Sequence, residues 1–284
     1  MAGSVAGPAT AAAGAALGRG VLHQKAAASQ SGLTRRPPSA AMAPFVDFYW
    51  ILRWDLRGRP PHDQTILPHP NVNLVFEQTG AAIYGVDRTL FVRRIEGQGI
   101  ALGVRFRVGG FRPFWDGPVA ELNDRTVPAA QLFGPAAETA RLAILGAPDD
   151  AAMVAQAENL LCSARPARDP VAEQVAGMVT RITVDSSLRR VGDLAVALGL
   201  PVRRLQRLFT GYVGVSPKWV MRLARLQEAA VRAEHGGHVD WAALAAELGY
   251  ADQAHLTRDF TATIGVPPAR YVTHSITNTA SPRG

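Results

Sequence analysis

The spacing of apolar residues changes character several times along the chain. The first 41 residues are rich in Ala, Gly and Ser, contain no Asp or Glu, and hold no sustained apolar period. Such a segment buries too little surface to offset the entropy of ordering, so residues 1–41 are expected to be a disordered extension. From Phe45 to about Arg125, short aromatic and β-branched runs alternate with Pro and Gly: Phe48-Tyr49-Trp50-Ile51-Leu52, Val72-Asn73-Leu74-Val75-Phe76, Leu90-Phe91-Val92 and Gly103-Val104-Arg105-Phe106. These predict strands of a sheet or small barrel. Between about Pro128 and Thr183 the pattern becomes Ala- and Leu-rich at helical spacing, as in Ala136 to Leu145 and Ala151 to Leu161, with breaks at Pro166 and Pro170. A polar Asp185-Ser186-Ser187 then precedes a new helical pattern. The reading is α+β, with a β-rich domain over 42–185 whose C-terminal part is helical, an all-α domain over 186–272, and a tail over 273–284.

The all-α part contains a duplication. Leu194-Ala195-Val196-Ala197-Leu198-Gly199 lies over Leu244-Ala245-Ala246-Glu247-Leu248-Gly249, sharing Leu, Ala, Leu and Gly. Allowing one inserted residue, Leu205, Arg207, Phe209, Gly214, Val215 and Pro217 meet Leu256, Arg258, Phe260, Gly265, Val266 and Pro268. Each copy has a helix with Leu and Ala on one face, a Gly for the tight turn, and a second helix within a few residues, which is the pattern of a helix-turn-helix. In the first copy Leu205, Leu208 and Phe209 form the buried stripe and leave Arg203, Arg204, Gln206 and Arg207 outward. In the second, Leu256 and Phe260 are inward, and Gln253, His255, Thr257 and Arg258 outward. Arg donates twice to guanine, Gln pairs with adenine, and Thr offers a hydroxyl and a methyl, so these faces suit base reading in the major groove. A solvated polar face would explain one such helix, but not two with Arg207 and Arg258 at the same place. Pro217 to His235 carries Val220, Leu223, Leu226 and Val231 at helical spacing, is closed by Gly236-Gly237, and would set the distance between the readers.

Charge agrees with this reading. The formal charge is +7 and the isoelectric point about 10.3, and Ser186 to Val272 holds 11 Arg and Lys against 7 Asp and Glu. Cationic side chains release counterions on meeting phosphates, so double-stranded DNA is the expected partner. The segment from Ser186 to Val272 resembles the DNA-binding domain of the AraC/XylS family of bacterial transcription regulators. The resemblance rests on the Gly-to-Phe spacing of both copies, the Gly-Val-Ser-Pro and Gly-Val-Pro-Pro endings, Arg225-Leu226 and Tyr271. Pro201 at a helix start and Val220 in place of an aromatic depart from the pattern. The resemblance implies that Arg203, Gln206 and Arg207 enter one major-groove segment, and that Ala254, His255 and Arg258 are the matching residues of the second. It further implies promoter DNA, a small-molecule effector, RNA polymerase and a second copy of the chain as partners, in the cytoplasm and on the nucleoid of a bacterium.

The N-terminal half is less explicit. Trp50-Ile51-Leu52-Arg53-Trp54, Leu67-Pro68-His69-Pro70 and Gly109-Gly110-Phe111-Arg112-Pro113-Phe114 resemble the sensor half of a less characterised AraC-type subgroup, and no effector is written in them. His62, His69 and Glu77 lack metal-ligand spacing and are expected in loop or core roles. Gly97-x-Gly99 followed by Gly103 precedes a strand-like run, unlike a dinucleotide loop. Arg107 and Arg112 flank Gly109-Gly110, which could hold an anion, although a turn packed by Phe111 and Phe114 explains the pattern as well. Cys162, the single cysteine, excludes a disulfide framework and is expected to be a small packing residue. No cofactor or metal is expected. A DNA-tethered enzyme or repair protein with catalysis in residues 45 to 125 is the alternative, but no nucleophile elbow, phosphate loop or zincin helix supports it. No apolar run is long enough to span a bilayer.

Overall fold

A computed structural model describes residues 31–234 and 239–271. Strand β2 (Val46–Asp55) is the long central run of the aromatic segment and pairs antiparallel with β7 (Gln98–Phe106), which pairs on its other side with β4 (Asn73–Glu77). With β1 (Ser31–Arg36), β5 (Gly80–Tyr84) and β8 (Thr126–Pro128) they form one six-stranded sheet in the order β1-β2-β7-β4-β5-β8. The expected barrel is replaced by an open sheet, because β1 and β8 are edges that do not pair with each other. A separate two-stranded sheet of β3 (His62–Ile66) and β6 (Phe91–Ile95) completes the β-rich part.

Alternation along the strands gives the large sheet two faces. Tyr49, Ile51, Leu74, Phe76, Ile83, Leu102, Val104 and Phe106 point to one side and form a core. Helices α1 (Ala130–Phe133), α2 (Ala136–Leu145) and α3 (Asp150–Ser163) cover it through Ala137, Ile144, Met153, Ala157, Leu160 and Leu161. Phe48, Trp50, Leu52, Trp54, Asn73, Val75, Ala101 and Arg105 point to the other side and, with Gln64, Ile66, Phe91 and Ile95 of the small sheet, line a half-open cavity of about 160 Å³. The Gly109-Gly110 segment is the packed turn: Gly109 has φ +77°, and Phe111 and Phe114 are buried, with Phe106 and Phe111 rings edge-to-face at 4.9 Å.

Three sequence expectations need correction. Residues 31–36, placed in the disordered extension, form β1: they pair with Trp54 to Tyr49 of β2, and Thr34 and Arg36 bond to Asp150 at 2.9 and 3.2 Å. The six residues lack an apolar period because β1 is an edge strand whose residues 32–36 are all exposed; residues 1–30 lie outside the described part. Cys162 is exposed on α3, because Leu161 beside it takes the inward position. The domain boundary at 185/186 cuts through a core. Helix α4 (Pro170–Val184), capped by Asp169 accepting from Val171 N–H, buries Val175, Met178, Val179 and Ile182 with Leu194, Leu205, Phe209 and Val220, and so belongs to the C-terminal unit. Its stripe has the same period as the helices before it, so only packing reveals which core it joins.

The remaining helices are α5 (Val191–Leu198), α6 (Val202–Tyr212), α7 (Pro217–Glu234), α8 (Trp241–Glu247) and α9 (Gln253–Ile264). Val220, Leu223 and Leu226 of α7 are buried as expected, and Val231 is half-buried. Gly236-Gly237 and the tail beyond Tyr271 lie outside the described residues.

Candidate nucleic-acid interface

The two helix pairs are built from the same local bonds. In the first, Gly199 adopts φ +63° after α5, and the N–H of Leu200 donates to Ala195 O at 3.0 Å. Fifty residues on, Gly249 adopts φ +76°, and the N–H of Tyr250 donates to Ala245 O at 2.8 Å. A side chain at either glycine would cost about 1–2 kcal/mol, since a Cβ crowds the following carbonyl in the left-handed region. The helix starts differ. Asp252 caps α9 by accepting from His255 N–H at 2.7 Å, whereas Pro201 sets the entry to α6 without a side-chain cap.

Each second helix buries two large residues and presents the rest. Leu205 and Phe209 of α6 and Leu256 and Phe260 of α9 are fully buried. Leu208, expected in the stripe, is half-buried at its edge. Arg203, Arg204, Gln206 and Arg207 are exposed, as are Gln253, Ala254, His255 and Arg258; Thr257 is half-buried. Among the described residues no side-chain hydrogen bond or ion pair occupies Arg203, Arg204, Gln206, Arg207, Gln253 or Arg258. Helix α6 therefore offers three guanidinium groups with no acid on the same helix. On α9 the one acid, Asp259, is taken by Arg222 of α7 at 3.0 Å, which leaves Arg258 as the net charge of that face. The His255 ring rests edge-to-face on Tyr250 at 5.2 Å, which fixes its direction. Arg189 donates to Glu247 O at 3.1 Å and ties the first unit to the second.

The N-terminal domain touches both units. Pro118 lines a shallow cleft with Arg203, Gln206, Arg207, Thr210 and Gly211 of α6. Beside it, Asn123 donates to Gly214 O at 2.6 Å, and the Tyr212 hydroxyl donates to Asp169 at 2.7 Å. Leu67 and Leu90 pack against the core of the second unit, which holds Leu256, Phe260 and Ile264. These contacts were not legible in the sequence, because they join residues dozens of positions apart. Asp252 was, since an Asp three residues before His255 at a helix start is a capping signal.

The other candidates do not converge. His69 is half-buried with its Nδ1 shielded from water, and desolvation together with the nearby Arg105 charge lowers its pKa well below the ordinary histidine value. Glu77 pairs with Arg93, and His62 starts β3 at the rim of the small sheet. Among the described residues no group of three or more His, Cys, Asp and Glu could hold a metal ion.

Residues 194–274 match a family described as a helix-turn-helix domain. The chain carries an AraC-type helix-turn-helix domain in its C-terminal part. Residues 34–128 match a domain of unknown function (DUF6597), which ends at the last residue of β8. No curated protein sequence matches the chain. Among solved structures, an apo variant of ToxT from Vibrio cholerae is 11% identical, covering 84% of this chain and 99% of that chain with a TM-score of 0.39. ToxT from the same organism with unsaturated fatty acid bound is 11% identical, covering 86% of this chain and 91% of that chain with a TM-score of 0.32. Likeness at this level is too loose to transfer a site. No helix of the described residues is long and apolar enough to cross a membrane.

Proposed function

We propose that the chain is an AraC-type transcription regulator whose grip on promoter DNA is set by a small molecule held in the cavity between the two sheets. One observation carries this reading: the walls of that cavity are packed against both helix-turn-helix units. Leu67 lines the cavity and packs on the second unit. Gly85 lines it too, and its backbone lies so close to Leu122 that a Cβ would overlap the Leu122 carbonyl. Asn123 follows Leu122 and holds Gly214 at the end of α6. A ligand that favours one arrangement of these walls shifts DNA affinity by its differential affinity for the two arrangements.

In this reading Arg203, Gln206 and Arg207 enter one major-groove segment, and Ala254, His255 and Arg258 the next. Arg204, Gln253 and Thr257 flank them toward the phosphates. Helix α7 has 18 residues and a length of about 27 Å, of the order of the roughly 34 Å between groove segments one turn apart. Ala254 has no side-chain donor, so the second unit reads through His255 and Arg258 and through methyl contact with thymine. The chain carries no catalysis, acts on the nucleoid in a bacterial cytoplasm, and passes its signal to RNA polymerase. A second copy of the chain serves promoters with repeated half-sites.

The test measures promoter affinity by fluorescence anisotropy for the full chain and for residues 169–284, each with and without small-molecule cell extract. A response only in the full chain supports the reading. Equal responses, or none from any extract, would leave a DNA binder without effector control.

A further inference from the structure

The floor of the cavity is aromatic, by a specific construction. Trp50 and Trp54 of β2 face Gly103 and Gly99 of β7 across the antiparallel pair. A Cβ at Gly103 would overlap the Trp50 indole and one at Gly99 the Trp54 indole, so each ring lies on the bare backbone of β7 and turns its other face to the cavity. Each indole N–H already has an acceptor within the protein: Trp50 Nε1 donates to Asn73 Oδ1 at 3.5 Å and Trp54 Nε1 to Glu96 O at 3.0 Å. Ring faces held in this way lose little freedom when a ligand stacks on them, and a flat ring gains more from them than a puckered one. The volume, about 160 Å³, is that of one ring: an apolar cavity of roughly 150 Å³ is known to hold benzene.

The charges of the wall invite no ion. Arg93 is ion-paired with Glu77. Arg105 donates to Asn71 Oδ1 at 2.8 Å and lies 3.6 Å from the Asp47 carboxylate. Arg105 and Arg35 share the Phe48 ring, at 5.4 and 4.8 Å from its centre, so an anion would have to displace contacts that already exist. A cation fares no better, because three guanidinium groups, Arg35, Arg93 and Arg105, stand against two carboxylates, Glu77 and Asp87. An ion of either sign would lose its hydration here without gaining a matching counter-charge. One neutral polar group is open instead. Gln64 of β3 pairs across the small sheet with Arg93 of β6, and Ile66 with Phe91; these alternate positions share one face, and all four residues line the cavity. Gln64 is 7% exposed, and no group of the described residues hydrogen-bonds its side-chain amide. A buried amide is costly until both its NH₂ and its C=O are paired, and a ligand group that both donates and accepts meets that need.

We infer that the cavity binds an uncharged single-ring aromatic molecule, its ring on Trp50 and Trp54 and a hydroxyl or carboxamide group at Gln64. The inference rests on the effector reading above and names its ligand class. Charged rings of the same size lose hydration without return, saturated rings lack the stacking, and rings without a polar group leave the Gln64 amide unpaired.

The test uses the full chain with benzamide and phenol as probes and benzoate, benzylamine, cyclohexanecarboxamide and toluene as controls, followed by melting temperature and by quenching of tryptophan emission. The probes should raise Tm saturably, by about 3–6 °C at ten times their dissociation constant. Benzamide should bind at least tenfold tighter than benzoate, benzylamine or cyclohexanecarboxamide, and severalfold tighter than toluene. Gln64→Leu should remove the preference for benzamide over toluene while toluene still binds, an exchange that a merely structural role would not produce. Gly103→Val should abolish binding of every ring by driving Trp50 into the cavity, with Gly99→Ala as the milder variant should the first fail to fold. Binding of any control as tight as benzamide, an unchanged preference in Gln64→Leu, or no shift with either probe would overturn the assignment. If the probes bind but leave promoter affinity unaltered, the ligand class stands and the effector reading fails. If they fail while cell extract still alters promoter affinity in the full chain alone, the ligand class is wrong and the effector reading stands. If both fail, both are wrong.

Discussion

Helix α4 should be indispensable to the first helix-turn-helix unit. Val175, Met178, Val179 and Ile182 are at most 6% exposed, and they cover Leu194, Leu205, Phe209 and Val220. Deleting residues before Ser186 removes the helix together with its own ordering cost. The loss that counts is therefore the apolar surface uncovered on its partners, comparable to what the four side chains bury. At about 1.5–3 kcal/mol for each buried side chain, the loss is about 6–12 kcal/mol, an upper bound because unfolded chains retain some burial. Whole domains are stable by only about 5–15 kcal/mol. A fragment of residues 186–284 should consequently show no cooperative urea transition for its first unit at 25 °C, and should bind promoter DNA weakly. Residues 169–284, which keep the Asp169 cap and its bond to Tyr212, should unfold cooperatively. Within the longer fragment, Ile182→Ala should cost about 2–5 kcal/mol. Circular dichroism against urea measures all three. Equal midpoints for the two fragments would refute the reasoning and restore a boundary at Ser186.

Arg207→Ala should cost about 1–3 kcal/mol of promoter binding and relax preference at one base position, as a selection experiment on randomised sites would reveal; a uniform loss across sequences would make it a phosphate contact instead. Inserting about 5 base pairs between the two contacted segments turns the second to the far side of the duplex and should abolish high-affinity binding in a mobility-shift assay, whereas about 10 should largely restore it. A chain beginning at Met42 should melt below one beginning at Ser31, because it loses β1 and the Thr34 and Arg36 bonds to Asp150. The same bonds set a pH dependence. Burial opposes ionisation of Asp150, but Thr34, Arg53 and Arg36 outweigh it and hold its carboxyl below the ordinary range. A lowered folded-state pKa contributes stability above the unfolded value near 3.9 and loses it as pH falls through the folded one. Hydrogen exchange in 31–36 should therefore rise below about pH 4 in the native chain, and Asp150→Asn should show the faster exchange already at neutral pH.

The residues by themselves determined the helix-turn-helix pair and its outward residues. The reason is local: a glycine in the left-handed turn, a buried Leu and Phe four residues apart, and a basic outer face all fall within about twenty positions, so each copy declares itself, and two copies declare each other. Strand character between Phe45 and Arg125 was legible for the same reason, through aromatic and β-branched runs. Tertiary structure alone decided which core each element joins. Helix α4 reads like α3 in sequence but packs with the second domain. Strand β1 carries no apolar period, yet its pairing with β2 and the Asp150 bonds order it. Gly99 and Gly103 read as a failed cofactor loop until the register set them under Trp54 and Trp50 and gave the cavity its floor. The contacts of Pro118, Asn123, Leu67 and Leu90 with the DNA-reading units depend on chain segments far apart in sequence, and no local periodicity encodes a meeting of that kind.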